Sequence, residues 1–157
     1  MELLAENLKS RILACNDFES LAIDVFKFQA KLNPIYSRYL ELLNTDVQSI
    51  TQVSQIPFLP VEAFKTNKVV VGEFIPEAIF KSSGTGDSDN RSHHYIKSLS
   101  WYHQITKSIY EDKLGPISET KWVGLLPGYL DRGDSSLLEM TRHFMKASGS
   151  QENFFMH

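Results

Sequence analysis

FKSSGTGDSDNRSHHY, residues 80–95, is the stretch on which the fold turns. It opens on Phe80 and Lys81, then passes through two serines, a glycine, a threonine and a second glycine before any bulky side chain returns. This density of Gly, Ser, Thr, Asn and Asp marks a loop, and the extended pattern over residues 77–81 makes it a loop delivered by a strand. Such a loop suits phosphate. Glycine lets successive N–H groups turn toward one point, and the hydroxyls of Ser82, Ser83 and Thr85 add donors for anionic oxygens. It lacks the Gly-Lys-Ser/Thr ending of a P-loop and contains no GxGxxG. Nor does it hold a serine at GxSxG spacing, as a hydrolase elbow would. Composition by itself leaves a plain surface loop and a phosphate cradle both open.

Upstream, the pattern is helical. Leu4, Leu8 and Ile12 share one period, and Phe18, Leu21, Val25 and Phe28 resume it after a break at Asn16-Asp17. Asn33-Pro34 fits an N-cap followed by proline at the first helical position, opening a third helix through Ile35, Tyr39 and Leu42 that stops near Asn44. Pro57 and Pro60 then force an extended approach to a helical turn over residues 61–64, and residues 68–72 read as a strand. These features divide the chain into a helical segment, 1–55, and an α/β segment, 56–157.

Downstream, Leu99, Tyr102, Ile105 and Ile109 mark a helix capped by Ser98 and closed by Gly115-Pro116. Residues 121–126 read as a buried strand, 127–136 as a loop, and 136–147 as a helix with Leu137, Met140 and Phe144 on its inner face. Trp101 and Trp122 are expected in the core. Phe154-Phe155-Met156-His157 opens another strand, so the chain is expected to stop inside a larger fold. Tyr129, Asp131, Arg132 and Asp134 follow a strand end, where α/β folds place ligand contacts. Arg132 suits a phosphate or carboxylate there, and a salt-bridged loop is the competing reading. His93 and His94 are adjacent, so in an extended chain they point to opposite sides, and no cysteine or carboxylate set accompanies them. No metal site is expected.

With 157 residues, 42% hydrophobic and 22% charged, the chain can bury one sizeable core. A net charge of -3 gives no reason to expect nucleic-acid or anionic-membrane binding. No apolar run is long enough to span a bilayer, and Glu2, Glu6, Lys9 and Arg11 interrupt the start too often for a signal peptide. A single cysteine, Cys15, allows no internal disulfide and points to a reducing cytoplasm, where it reads as a packed or idle thiol.

The order IPFLPVEAFKTNKVV (56–70), FKSSGTG (80–86), Ser92-His93-His94-Tyr95 and LLPGYLDRGDSSLLEM (125–140) resembles the LuxE-like acyl-protein synthetases. These belong to the adenylate-forming superfamily, with acyl-CoA synthetases and phenylacetate-CoA ligases, and the likeness covers about residues 56–145. It implies an α/β fold, with a helical N-terminal segment followed by part of an adenylate-forming domain. It further implies an enzyme that uses ATP and Mg²⁺ to activate a fatty or other organic acid as its adenylate, then passes the acyl group to a thiol. Carried over by position, Ser82, Ser83, Gly84, Thr85 and Gly86 would hold the ATP phosphates. His94 falls on the family's Ser-x-His pattern and, with Tyr129 and Arg132, is a substrate-binding candidate. The loop departs from the family's Ser-Ser-Gly-Thr-Thr-Gly, with Gly86 at the second Thr and Asp87 at the final Gly, unless a one-residue shift retains Gly86 as that glycine. The adenine motif, ribose contact, catalytic lysine and acyl-accepting cysteine would follow His157, or lie on a partner chain. The chain alone is then expected to be inactive. A non-catalytic binding or interaction module on the same fold is the alternative.

Overall fold

The computed structural model describes residues 2–14, 17–83, 91–125 and 133–156. Chain contacts divide it into two compact units, Met1–Phe74 and Ile75–His157. In the first, α1 (Glu2–Ala14), α2 (Phe18–Leu32) and α3 (Pro34–Leu42) follow one another. Asp17 and Asn33 stand in extended backbone before α2 and α3, and each side-chain oxygen accepts the N–H three residues on, from Ser20 and Tyr36 respectively. That bond satisfies a first-turn donor with no partner inside the helix. Asn44, with φ of 52°, turns the chain out just past α3.

Phe26, Ala30, Tyr36, Leu40 and Ile50 form the core of this unit. Tyr36 meets Phe26 edge-on at 6.1 Å, and its hydroxyl donates to the Pro57 carbonyl at 2.8 Å, tying the proline segment to the helices. Burial, and then the neighbouring Tyr39, push the Tyr36 phenol up to about 12, so it remains a donor at every working pH. The short α4 (Ala63–Thr66) begins two residues after the expected turn at 61. The strand expected over 68–72 does not form. Neither sheet among the described residues takes in this segment, and Gly72 bends it at a φ of 70°, so the valines pack as an unpaired run.

In the second unit, β1 (Ala78–Lys81) and β2 (His93–Ile96) pair antiparallel, with Phe80 opposite His94. Ser98 caps α5 (Leu99–Leu114), and Gly115, at φ of 91°, ends it. β3 (Val123–Leu125) and β4 (Phe154–Met156) pair parallel on either side of α6 (Ser136–Ser148) in sequence, the strand-helix-strand connection that parallel pairing needs. Gly124 lies opposite Phe155, and a Cβ there would press into the Phe155 ring. Among the described residues the chain is mixed α/β and mostly helical, with six helices and two two-stranded sheets. None of these helices is long and apolar enough to cross a membrane.

Two further details differ from the sequence reading. Val123 and Leu125 are 53% and 69% exposed, so β3 is covered on the Gly124 side alone. The inner face of α6 is Leu138, Thr141 and Phe144, while Leu137 is exposed. Thr141 is accommodated because its hydroxyl donates back to the Leu137 carbonyl at 2.8 Å. Phe144, 1% exposed, packs with Tyr110 and Trp122 at ring separations of 5.3 and 5.1 Å, and those two rings lie 5.0 Å from each other. Trp122 belongs to this core as expected, though it and Trp101 are each half-buried. Across α5 and α6, His103 and His143 stack at 4.0 Å, and His103 Nε2 lies 2.8 Å from the Glu139 carboxylate.

Candidate functional site

β1 ends at Lys81 and β2 begins at His93, and two backbone hydrogen bonds hold the residues at and beside these strand ends. Lys81 N–H donates to the Asp134 carbonyl at 2.9 Å and Ser82 N–H to the Ser92 carbonyl at 3.1 Å. Buried Ser92 returns the contact, its N–H donating to Ser82 Oγ at 3.0 Å. Ser82 and Ser92 thus clasp the residues that follow β1 and precede β2. Ser82 Oγ acts here as an acceptor, and among the described residues its hydroxyl proton has no acceptor, so it can serve an incoming oxygen.

Asp134 brings the second motif to the same place. Its carbonyl binds the Lys81 N–H, and its carboxylate lies 3.9 Å from Lys81 Nζ and 3.7 Å from Arg91 Nη1. Ser135 then caps α6, its Oγ accepting the Leu138 N–H at 3.3 Å. By helix geometry the N–H groups of Ser136 and Leu137 have no intrahelical acceptor, and the start of α6 carries about half a positive charge.

A cavity of about 230 Å³ lies between these parts, lined by Lys81, Ser82, Ser83, Asp134, Ser135, Ser136 and Leu137. Hydroxyls, a lysine and a helix start facing one small space suit an anion with several oxygens. The carboxylate of Asp134 opposes such a ligand, and the two cations beside it offset that charge. Those same cations make the wall a poor home for a resident Mg²⁺. Among the described residues, Asp134 is the one carboxylate lining the cavity, and no group of three or more His, Cys, Asp or Glu could hold a metal.

Of the residues singled out from sequence, Ser82 and Ser83 thus lie with the start of α6. His94, on β2, is exposed and is not among the residues that line the cavity. Gly84, Thr85, Gly86, Asp87, Tyr129, Asp131, Arg132 and Cys15 lie outside the described residues. Sequence reasoning missed Lys81, Ser135 and Ser136 as site residues. The signal was present in Asp134-Ser135-Ser136, a capping pattern before an apolar period. What the pattern could not say is that this cap would face residues about fifty positions earlier.

Compared with known proteins, the chain matches no family model, no curated protein and no solved structure.

Proposed function

We propose that the cavity between Ser82-Ser83 and the start of α6 holds the polyphosphate of ATP, and that the chain is the N-terminal part of a carboxylate-activating ligase of the LuxE-like kind. The observation that carries this reading is the meeting of two motifs, distant in sequence, on one anion-suited cavity. Each had been singled out for its resemblance to that family.

In this role Ser82 and Ser83 donate to phosphate oxygens, Lys81 neutralises charge, and the Ser136 and Leu137 N–H groups close the far side of the cradle. Held there, the polyphosphate tail leaves the α-phosphorus directed toward the acid. The substrate carboxylate attacks that phosphorus, the bond to the bridging oxygen breaks, and pyrophosphate leaves as the acyl-adenylate forms. A thiol then takes the acyl group and releases AMP. Mg²⁺ would accompany the nucleotide and reduce repulsion at Asp134. Gly84, Thr85 and Gly86 would extend the cradle, with His94, Tyr129 and Arg132 on the acid side. The remaining catalytic groups are assigned to sequence beyond this chain or to a partner, in a cytoplasmic enzyme.

The test is carboxylate-dependent exchange of pyrophosphate into ATP by the longest natural form of the protein. Ser83→Ala and Lys81→Ala should each slow exchange by about tenfold, the worth of one charge-assisted hydrogen bond partly exposed to water. Exchange unaltered by both substitutions would reject the assignment. Pyrophosphate binding without exchange would instead favour a non-catalytic module.

A further inference from the structure

The first unit holds a concavity of opposite chemistry. It measures about 620 Å³ and is lined by parts of α1, α2, α3 and residues 53–69, within the roughly 300–1,000 Å³ typical of small-molecule pockets. Among the described residues, its wall is apolar except for Gln29, Asn33 and Tyr36, and none of it is charged. Phe18 and Phe58 belong to this wall and are 64% and 71% exposed. Aromatic surface of this extent facing water is a cost that an apolar occupant removes.

The three polar residues mostly satisfy one another. Asn33 Oδ1 accepts from Tyr36 N–H at 3.3 Å, and Asn33 Nδ2 donates to Gln29 Oε1 at 3.2 Å. The Tyr36 hydroxyl proton is committed to Pro57. Among the described residues, the Gln29 amide nitrogen has no such acceptor. The wall can therefore meet one oxygen of an occupant, and little more.

We propose that this cavity binds an uncharged single-chain amphiphile, an aliphatic chain bearing one neutral oxygen head such as an alcohol, aldehyde or ester. A carboxylate is disfavoured because an ionised group buried without a cation carries a large desolvation cost. An extended peptide is disfavoured because each residue would bring a backbone donor and acceptor into a wall that cannot pair them. An alkyl chain brings neither. The site shares no residue with the polyphosphate cavity and does not depend on the role assigned there.

The experiment uses the full chain with 1-aminoanthracene, a neutral fluorescent probe, displaced by 1-decanol or by decanoate at about pH 8, where the acid is ionised. Decanol should displace the probe saturably, and decanoate should be weaker by tenfold or more, about the effect of leaving one charge unpaired. Ala22→Phe, which narrows the wall, should reduce decanol affinity by about tenfold. Gln29→Leu should reduce it by about fivefold while leaving probe binding intact. Circular dichroism checks that each variant folds. Should Ala22→Phe fail that check, amide NMR of the unsubstituted chain decides, with decanol expected to shift Gln29 and Tyr36. Absence of displacement, decanoate binding as tightly as decanol, shifts confined to other residues, or a self-associated chain that excludes the probe would each overturn the proposal.

Discussion

The two units close their cores with different partners, and each cavity inherits the difference. In Met1–Phe74 helices pack on helices, and the polar groups at the cavity, Asn33, Gln29 and Tyr36, are largely spent on one another and on Pro57. In Ile75–His157 short strands and helix ends meet, and among the described residues their termini leave donors unspent. The first N–H groups of α6 and the hydroxyls of Ser82 and Ser83 open onto one space. A helical stack encloses apolar volume, whereas a junction of element ends gathers backbone charge.

The largest expected effects come from the cores. Phe144→Ala should cost about 3–5 kcal/mol and Leu40→Ala about 2–5 kcal/mol in denaturant unfolding, because the two residues are only 1% and 2% exposed. Phe144 sits on the helix whose start lines the cavity proposed for polyphosphate, so its loss should also weaken pyrophosphate binding. Leu40→Ala should leave that binding unchanged, and equal loss from both variants would break the distinction between the units.

The caps give a finer comparison. Asn33→Ala and Ser135→Ala should each destabilise by about 1 kcal/mol, since each side chain accepts one first-turn N–H. Ser135→Ala alone should lower pyrophosphate affinity, measured by titration calorimetry.

His143 supplies a pH signature specific to the second unit. Burial, then His103 and Lys107, hold it below its ordinary value of 6.5, with Lys146 acting the same way and Glu139 opposing. The unfolded chain therefore takes up this proton at higher pH than the folded one. The stabilisation is complete above the unfolded value and is lost as pH falls below it. The loss of melting temperature between about pH 7.5 and pH 5.5 should be smaller in His143→Gln than in the unsubstituted chain. The smallest effect is expected at Arg38 and Glu41, an exposed pair at 3.0 Å. Removing Arg38 should change stability by less than about 0.5 kcal/mol.

These contrasts also explain what could be read from sequence. Helix starts at Asp17, Asn33, Ser98 and Ser135 are local events, set by one short polar side chain and the apolar period after it. Asn33-Pro34 and Ser98 were legible for that reason. The strand expected over 68–72 failed because pairing depends on a partner that a run of valines does not specify. On the inner face of α6 Phe144 was read correctly, while Leu137 and Met140 each stand one position before the buried Leu138 and Thr141, because Leu137 and Leu138 are chemically alike and Thr141 buries itself by bonding to its own helix. At the candidate site, Ser82 and Ser83 stood out by composition. Lys81 and Asp134 become neighbours through a single backbone hydrogen bond between distant segments, and no local pattern encodes that bond.

The cradle is tested most directly by titrating inorganic pyrophosphate into the isotopically labelled chain and following its amide resonances. Saturable shifts at Ser83, Ser136 and Leu137, weakened by about tenfold in Lys81→Ala and by added salt, are the result expected of the cradle. Resonances at these positions that stay still, or that move equally in Lys81→Ala, would contradict it.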